Sequence, residues 1–258
     1  MQIYIDESGG KLKGYFILTA LAISEQTPLR NALNYYTRRK FKGKSLDEVV
    51  KEELLWLKGN ASSNKDKAKF LRYLNEDCEK HEADYKIFYF KADLEALKTS
   101  QINKGDSEEV IITRLYFLFG SWLVTKATEW RRTAQMSVVI NENHLFNKNA
   151  LKAQFKNSLQ EVYGEAAPGF YYSARPLERK RILLGVDLFS TGIKRHAIDQ
   201  NDSWFSLFKD KVESLTDDQH RDVHNRVIEM AEMEKKGRPE QTQEEKQKGD
   251  SDFSPSPM

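Results

Sequence analysis

Short apolar runs of strand character alternate along the chain with longer stretches in which apolar residues recur every three or four positions. In the first run Ile3 and Ile5 alternate with polar or amphipathic neighbours, and the run ends in Asp6-Glu7-Ser8-Gly9-Gly10. This predicts a short buried strand that delivers carboxylates into a tight turn. Tyr15 to Ile23 is a long run of strand formers, and Gly9, Gly10 and Gly14 predict that it returns as an antiparallel hairpin partner.

Pro28 then opens a helical stretch. Ser45 to Lys58 predicts a second helix, with Ser45 as N-cap and Glu48 at capping-box spacing. Its residues Leu46, Val49, Val50, Leu54 and Leu57 follow the helical period and place Glu53 in the middle of the apolar stripe, with Glu52 outside it. Lys65 to Lys80 predicts a helix with Phe70, Leu71 and Leu74 inward. Further strands are predicted at Tyr85 to Phe90, Met136 to Ile140 and Gly169 to Ser173. Helices are predicted at Ser107 to Arg131, Leu151 to Tyr163, Glu178 to Ile198 and Ser203 to Glu234. The order is that of an α/β fold with a layered five-stranded sheet. It divides into a core at 1–200, a helical extension at 201–234 and a polar tail at 235–258, whose composition predicts disorder.

Composition narrows the picture only modestly. Charged residues make up 31% and hydrophobic ones 39%, and a net charge of +2 does not by itself imply a nucleic-acid partner. A single cysteine, Cys78, excludes an intrachain disulfide, and no Cys/His set has zinc spacing. Val110 to Val124 is the most apolar stretch, but it is short and interrupted, which predicts a buried core helix. The N-terminus runs straight into a strand, so a cytoplasmic setting is expected.

Carboxylates carry the candidate chemistry. Asp6 stands at a strand end, where α/β sheets bind ligands; turn chemistry explains the same residues. Glu53 on a buried face requires a metal ion or a basic partner. Asp187, in mid-helix among Leu183, Leu184, Val186 and Leu188, carries a desolvation cost. Asn141 and Glu142 close the fourth strand. Three or four such groups gathered at one sheet edge would bind hard divalent cations, Mg²⁺ or Mn²⁺. Two such ions would serve phosphodiester hydrolysis. Arg38, Arg39, Lys40, Lys42 and Lys44 interleave with Tyr35, Tyr36 and Phe41, as a nucleic-acid contact would, and as a solvated helix end also would. Arg179, Lys180 and Arg181 add positive charge before the last core helix. His220 and His224 have metal-ligand spacing, but no third ligand accompanies them, which favours a solvated face.

The opening Tyr4-Ile5-Asp6-Glu7-Ser8-Gly9-Gly10 and the late Leu183 to His196 stretch resemble the domain-of-unknown-function family numbered 3800, over roughly residues 1–196. The resemblance implies an RNase H-like fold and a metal-dependent nuclease acting on RNA or DNA. Asp6 and Asp187 would be its first and last carboxylates and Glu53 its helix carboxylate, with Glu52 the alternative. Gly185 stands where an alanine is usual. Asn141-Glu142 stands where such enzymes tend to place an aspartate, and would contribute an amide oxygen and a carboxylate. The resemblance also implies a setting in phage defence or a mobile element, with a protein partner. The competing expectation is a non-catalytic RNase H-like module that binds nucleic acid or assembles with protein.

Overall fold

Alternation along the first strand decides the layering. The computed structural model describes residues 1–9, 14–100, 105–141, 147–177, 179–214 and 217–236. Strand β1 (Gln2–Gly9) runs beside the antiparallel β2 (Tyr15–Ile23), with Asp6 opposite Thr19. Helices α1 (Gln26–Lys40), α2 (Lys51–Leu57) and α3 (Asn64–Lys80) lead to β3 (Tyr85–Asp93), antiparallel to β2. Then follow α4 (Leu94–Thr99), α5 (Glu108–Trp130) and β4 (Gln135–Asn141), which is parallel to β1. Helix α6 (Lys148–Tyr163) precedes β5 (Gly169–Arg175), parallel to β4. Helix α7 (Leu184–Asp199), the short β6 (Val212–Ser214, parallel to β3) and α8 (Asp217–Lys236) complete the order. The strands lie in the order β5-β4-β1-β2-β3-β6, with β2 alone running against the rest.

Helices cover both faces. Ile3, Ile5, Leu18, Phe88 and Phe90 pack with Leu115, Phe119 and Leu123 of α5, Phe155 of α6 and Val227 of α8. Tyr4, Ile17, Leu21 and Ile87 pack with Leu29 and Leu33 of α1, Phe70 and Leu74 of α3 and Phe189 and Ile193 of α7. Period two therefore turns Asp6 toward the α7 side and Glu7 toward the α5 side. Helix α5 is apolar and long enough to cross a membrane, yet 56% of its most apolar window is buried within the fold.

Several sequence expectations are corrected. The sheet has six strands, not five, because β6 at three residues is too short for its alternation to register. It falls inside the stretch read as a continuous helix from Ser203; α8 starts only at Asp217. The helix expected over Ser45 to Lys58 is two pieces, a 3₁₀ turn at Leu46–Glu48 and α2, joined by extended backbone at Val49 and Val50. The late helix begins at Leu184 after a 3₁₀ turn at Arg181–Leu183, so Asp187 lies in its first turn and not in mid-helix. The polar tail lies outside the described residues from 237 onward.

Candidate functional site

The ends of β1 and β4 and the start of α7 meet at one edge of the sheet. Asp6, near the end of β1, is only 5% exposed. Asn141, the last residue of β4, donates from Nδ2 to Asp6 Oδ1 at 2.9 Å. From α7, Asp187 Oδ2 accepts the Gly59 backbone N–H at 2.7 Å. One turn further on, Ser190 Oγ and Ser8 Oγ share a hydrogen bond of 2.5 Å, which ties α7 to β1.

The electrostatics are those of two acids pressed together. Burial, and then the negative charge of Asp187, push the Asp6 carboxyl up to about 8, against the Asn141 hydrogen bond. Burial also raises Asp187, opposed by the Gly59 N–H and by the cations Lys58 and Lys67. Neither carboxylate has an ion pair within 4 Å among the described residues. Two further polar groups nearby are left without a hydrogen bond: Thr19 Oγ1, opposite Asp6 in the register, and Lys67 Nζ on α3. Glu7 faces the other side of β1, where its carboxylate accepts from Tyr116 Oη at 3.0 Å; burial raises its pKa.

Gly59 makes this geometry possible. A Cβ at position 59 would stand 2.3 Å from Thr191 Oγ1 and 2.9 Å from the Asp187 carbonyl oxygen. The loop after α2 thus lies directly on α7 and can offer its N–H to Asp187. At Gly185 a Cβ would meet the buried Leu29 side chain at 2.7 Å.

Of the residues singled out in the sequence, Asp6, Asn141 and Asp187 come together. Glu142 lies outside the described residues, as do Asn143 and His144. Glu53 stands apart. Because the backbone is extended at Val50, Glu53 is the third residue of α2, where it accepts from the Val50 N–H at 3.1 Å and from Lys44 Nζ at 2.7 Å. Its side chain is 24% exposed, so it does not share the burial of Leu46, Val49, Leu54 and Leu57. Glu52 is exposed. The side chains of His220 and His224 are outside the described residues.

The basic residues form two clefts. Arg39 and Lys40 line a cavity of about 290 Å³ with Tyr36, Asp66 and Lys69, and Arg38 is exposed beside them. Arg179, Lys180 and Arg181 line one of about 250 Å³ with Arg30 and Asp47. Arg181 also donates to the Leu46 carbonyl, and Arg30 is paired with Asp47. Among the described residues, no group of three or more His, Cys, Asp or Glu is placed to hold a metal ion. Thr19 and Lys67 were missed in the sequence, although Lys67 falls on the same helical stripe as Phe70, Leu71 and Leu74.

No family model matches the chain, and no curated protein matches it. A solved complex of PCNA with RNase HII from Archaeoglobus fulgidus is similar at a TM-score of 0.42 and 12% identity, over 89% of this chain and 89% of that one. The sheet itself is more informative: a central β1 flanked by β4 and β5 on one side and by a reversed β2 and then β3 on the other. The fold is α/β, a mixed six-stranded sheet with helices on both faces. In α/β sheets of this kind ligands bind at strand ends, and here Asp6 and Asn141 occupy two adjacent ones.

Proposed function

We propose that the chain is a divalent-metal-dependent nuclease that hydrolyses RNA or DNA phosphodiesters, and that it belongs to the domain-of-unknown-function family 3800. The observation that carries the reading is the pair Asp6, buried, and Asp187, half-buried, whose charges repel each other and which have no ion pair within 4 Å among the described residues. Carboxylates are rarely buried unless something pairs with them, and hard oxygen donors suit Mg²⁺ or Mn²⁺. The unpartnered Thr19 hydroxyl beside Asp6 adds one more oxygen to that set.

In this reading Asp6 and Asp187 hold the ion, and Asn141 orients Asp6 through its amide while offering its own oxygen. Glu142 follows it in sequence as a further donor. When bound, the ion supplies activation of a water and neutralisation of the leaving oxygen. The chain's own residues do the rest. Gly59 fixes the direction of the Asp187 carboxylate, and burial around Asp6 strengthens the attraction for a cation. Arg38, Arg39 and Lys40 at one cleft and Arg179, Lys180 and Arg181 at the other are placed to hold phosphates. The family resemblance extends the proposal to phage defence or a mobile element, with a protein partner.

Cleavage of labelled RNA and DNA with Mn²⁺ tests the reading. Asp6→Asn and Asp187→Asn should each abolish cutting while remaining folded; cutting retained by either folded variant would overturn it. A second reading, a non-catalytic module, draws on the amide at the end of β4, which donates to Asp6 in a place where a third acid would serve catalysis. It requires nucleic-acid or protein binding by a wild type that cuts nothing.

A further inference from the structure

Helix α2 leaves its largest side chain in water. Trp56 is 63% exposed, and its neighbour Leu55 is exposed too, although they stand three and four residues from the Gly59 backbone that touches Asp187. This is not a loosely held segment. Tyr36 Oη and Ser62 Oγ lie 3.1 and 3.2 Å from the Leu57 carbonyl, which accepts from whichever hydroxyl does not donate to the other. Ser62 Oγ also reaches the Trp56 carbonyl at 3.4 Å and forms a short hydrogen bond with Tyr36 Oη. Leu54 and Leu57 bury the other side of the helix. The fold therefore fixes the turn from Trp56 to Ser62 against Asp187 and presents an indole with no ring contact among the described residues.

The surroundings favour one kind of occupant. Lys58, two residues on, is close enough to Asp187 to lower its pKa. Tyr36, which anchors the turn, also lines the cleft of Arg39, Lys40 and Lys69, in which Asp66 is the sole carboxylate. On α2 itself Lys51 is exposed beside Glu52, and Glu53 is neutralised by Lys44. Glu52 stands one turn before Trp56, but Lys58 follows it and the cationic cleft shares Tyr36 with its turn; an exposed flat aromatic so placed suits a polyanion that carries aromatic faces of its own, and a single nucleic-acid strand has both. A duplex does not fit as well, because its bases are already stacked on one another.

We infer that Trp56, with Lys58 beside it, is a stacking contact for an unpaired base of a single-stranded RNA or DNA segment entering the acidic site. The inference rests on the nuclease reading but is tested without cleavage. Fluorescein-labelled oligothymidylate, oligouridylate and a blunt DNA duplex are titrated with the full chain in EDTA and followed by anisotropy. Trp56→Ala should weaken single-strand binding about tenfold, and Trp56→Phe should recover most of it. The duplex, lacking free bases, should respond little to either change. Because Trp56 is mostly exposed, the variants should unfold close to the wild-type temperature.

Wild-type affinity in the folded Trp56→Ala variant, no rescue by phenylalanine, or no single-strand binding by the wild type would each overturn the contact. The first result would also hand the exposed indole to a protein partner. Asp6→Asn separates the two claims. Binding that depends on Trp56 in a chain that never cuts with Mn²⁺ would end the nuclease reading and leave the strand contact standing.

Discussion

Two regions of this protein bury charge, and they treat it in opposite ways. On the α5 side, Arg114 is 3% exposed and its charge is answered by two carboxylates: Asp106 accepts from it at 2.9 Å and Glu234 of α8 at 2.7 Å. On the α7 side, Asp6 and Asp187 repel each other, and Lys67, with none of its surface exposed, has no hydrogen-bond partner. The first arrangement holds structure together, because its charges are answered within the chain and it fastens the last helix to the core. The second raises the free energy of the folded chain, as sites awaiting a ligand commonly do.

The comparison can be broken by removing charges one at a time. Arg114→Met should cost the most, about 3 kcal/mol, since it leaves Asp106 and Glu234 facing an apolar side chain. Half-exposed Glu234 can turn to water, which keeps the loss at the lower end of the range for buried pairs. Urea denaturation measures it, and a loss below about 1 kcal/mol would mean that the clamp is ornamental.

Asp6→Asn should do the reverse and stabilise the metal-free protein by about 2 kcal/mol at pH 8. The sign follows from a folded pKa near 8 against an ordinary carboxylate value of 3.8. Below 3.8 the group is protonated in both states and costs nothing. Between that value and about 8 only the unfolded chain releases the proton, so wild-type stability drains away as pH rises. The gain from the variant should therefore vanish near pH 4, and a gain independent of pH would point to packing instead.

Lys67→Met should be milder, about 1 kcal/mol stabilising at neutral pH. Burial, and then Arg195, lower the Lys67 ammonium to about 8, with Asp187 opposing. A base with a lowered folded pKa costs stability at and below that value and recovers it as pH climbs toward 10.5. The benefit of the methionine should shrink over that window, and a thermal melt at pH 7 and pH 10 would show it. Smallest of all is Glu53→Gln, which should lower the melting temperature slightly through Lys44 and the helix cap and leave cleavage within about twofold. A complete loss of cutting would return Glu53 to the site.

The difference between the two regions also explains what the sequence disclosed. Asp6 was legible because the alternating apolar run stops just before it, although β1 itself continues to Gly9, and Asp187 because apolar residues surround it in sequence. Neither signal depends on knowing where other elements lie. Glu53 misled because its placement was projected through Val49 and Val50, where the backbone is extended and the helical phase is lost. The Arg114 clamp was invisible, since it joins residues 120 apart and only the fold brings them together. Lys67 sat on an apolar stripe in plain view, but lysine is so commonly a surface residue that its position drew no notice. The same holds for Thr19, whose hydroxyl matters only because the hairpin register sets it opposite Asp6.

The claim that the uncompensated region is a cation site is tested most directly by calorimetric titration of Mn²⁺ into wild type and Asp6→Asn at pH 7.5, with melting temperatures taken at saturation. The account predicts saturable binding by wild type with a melting temperature raised by about 5 °C or more, and neither effect in the variant. Equal responses from the two proteins, or none from wild type, would contradict it.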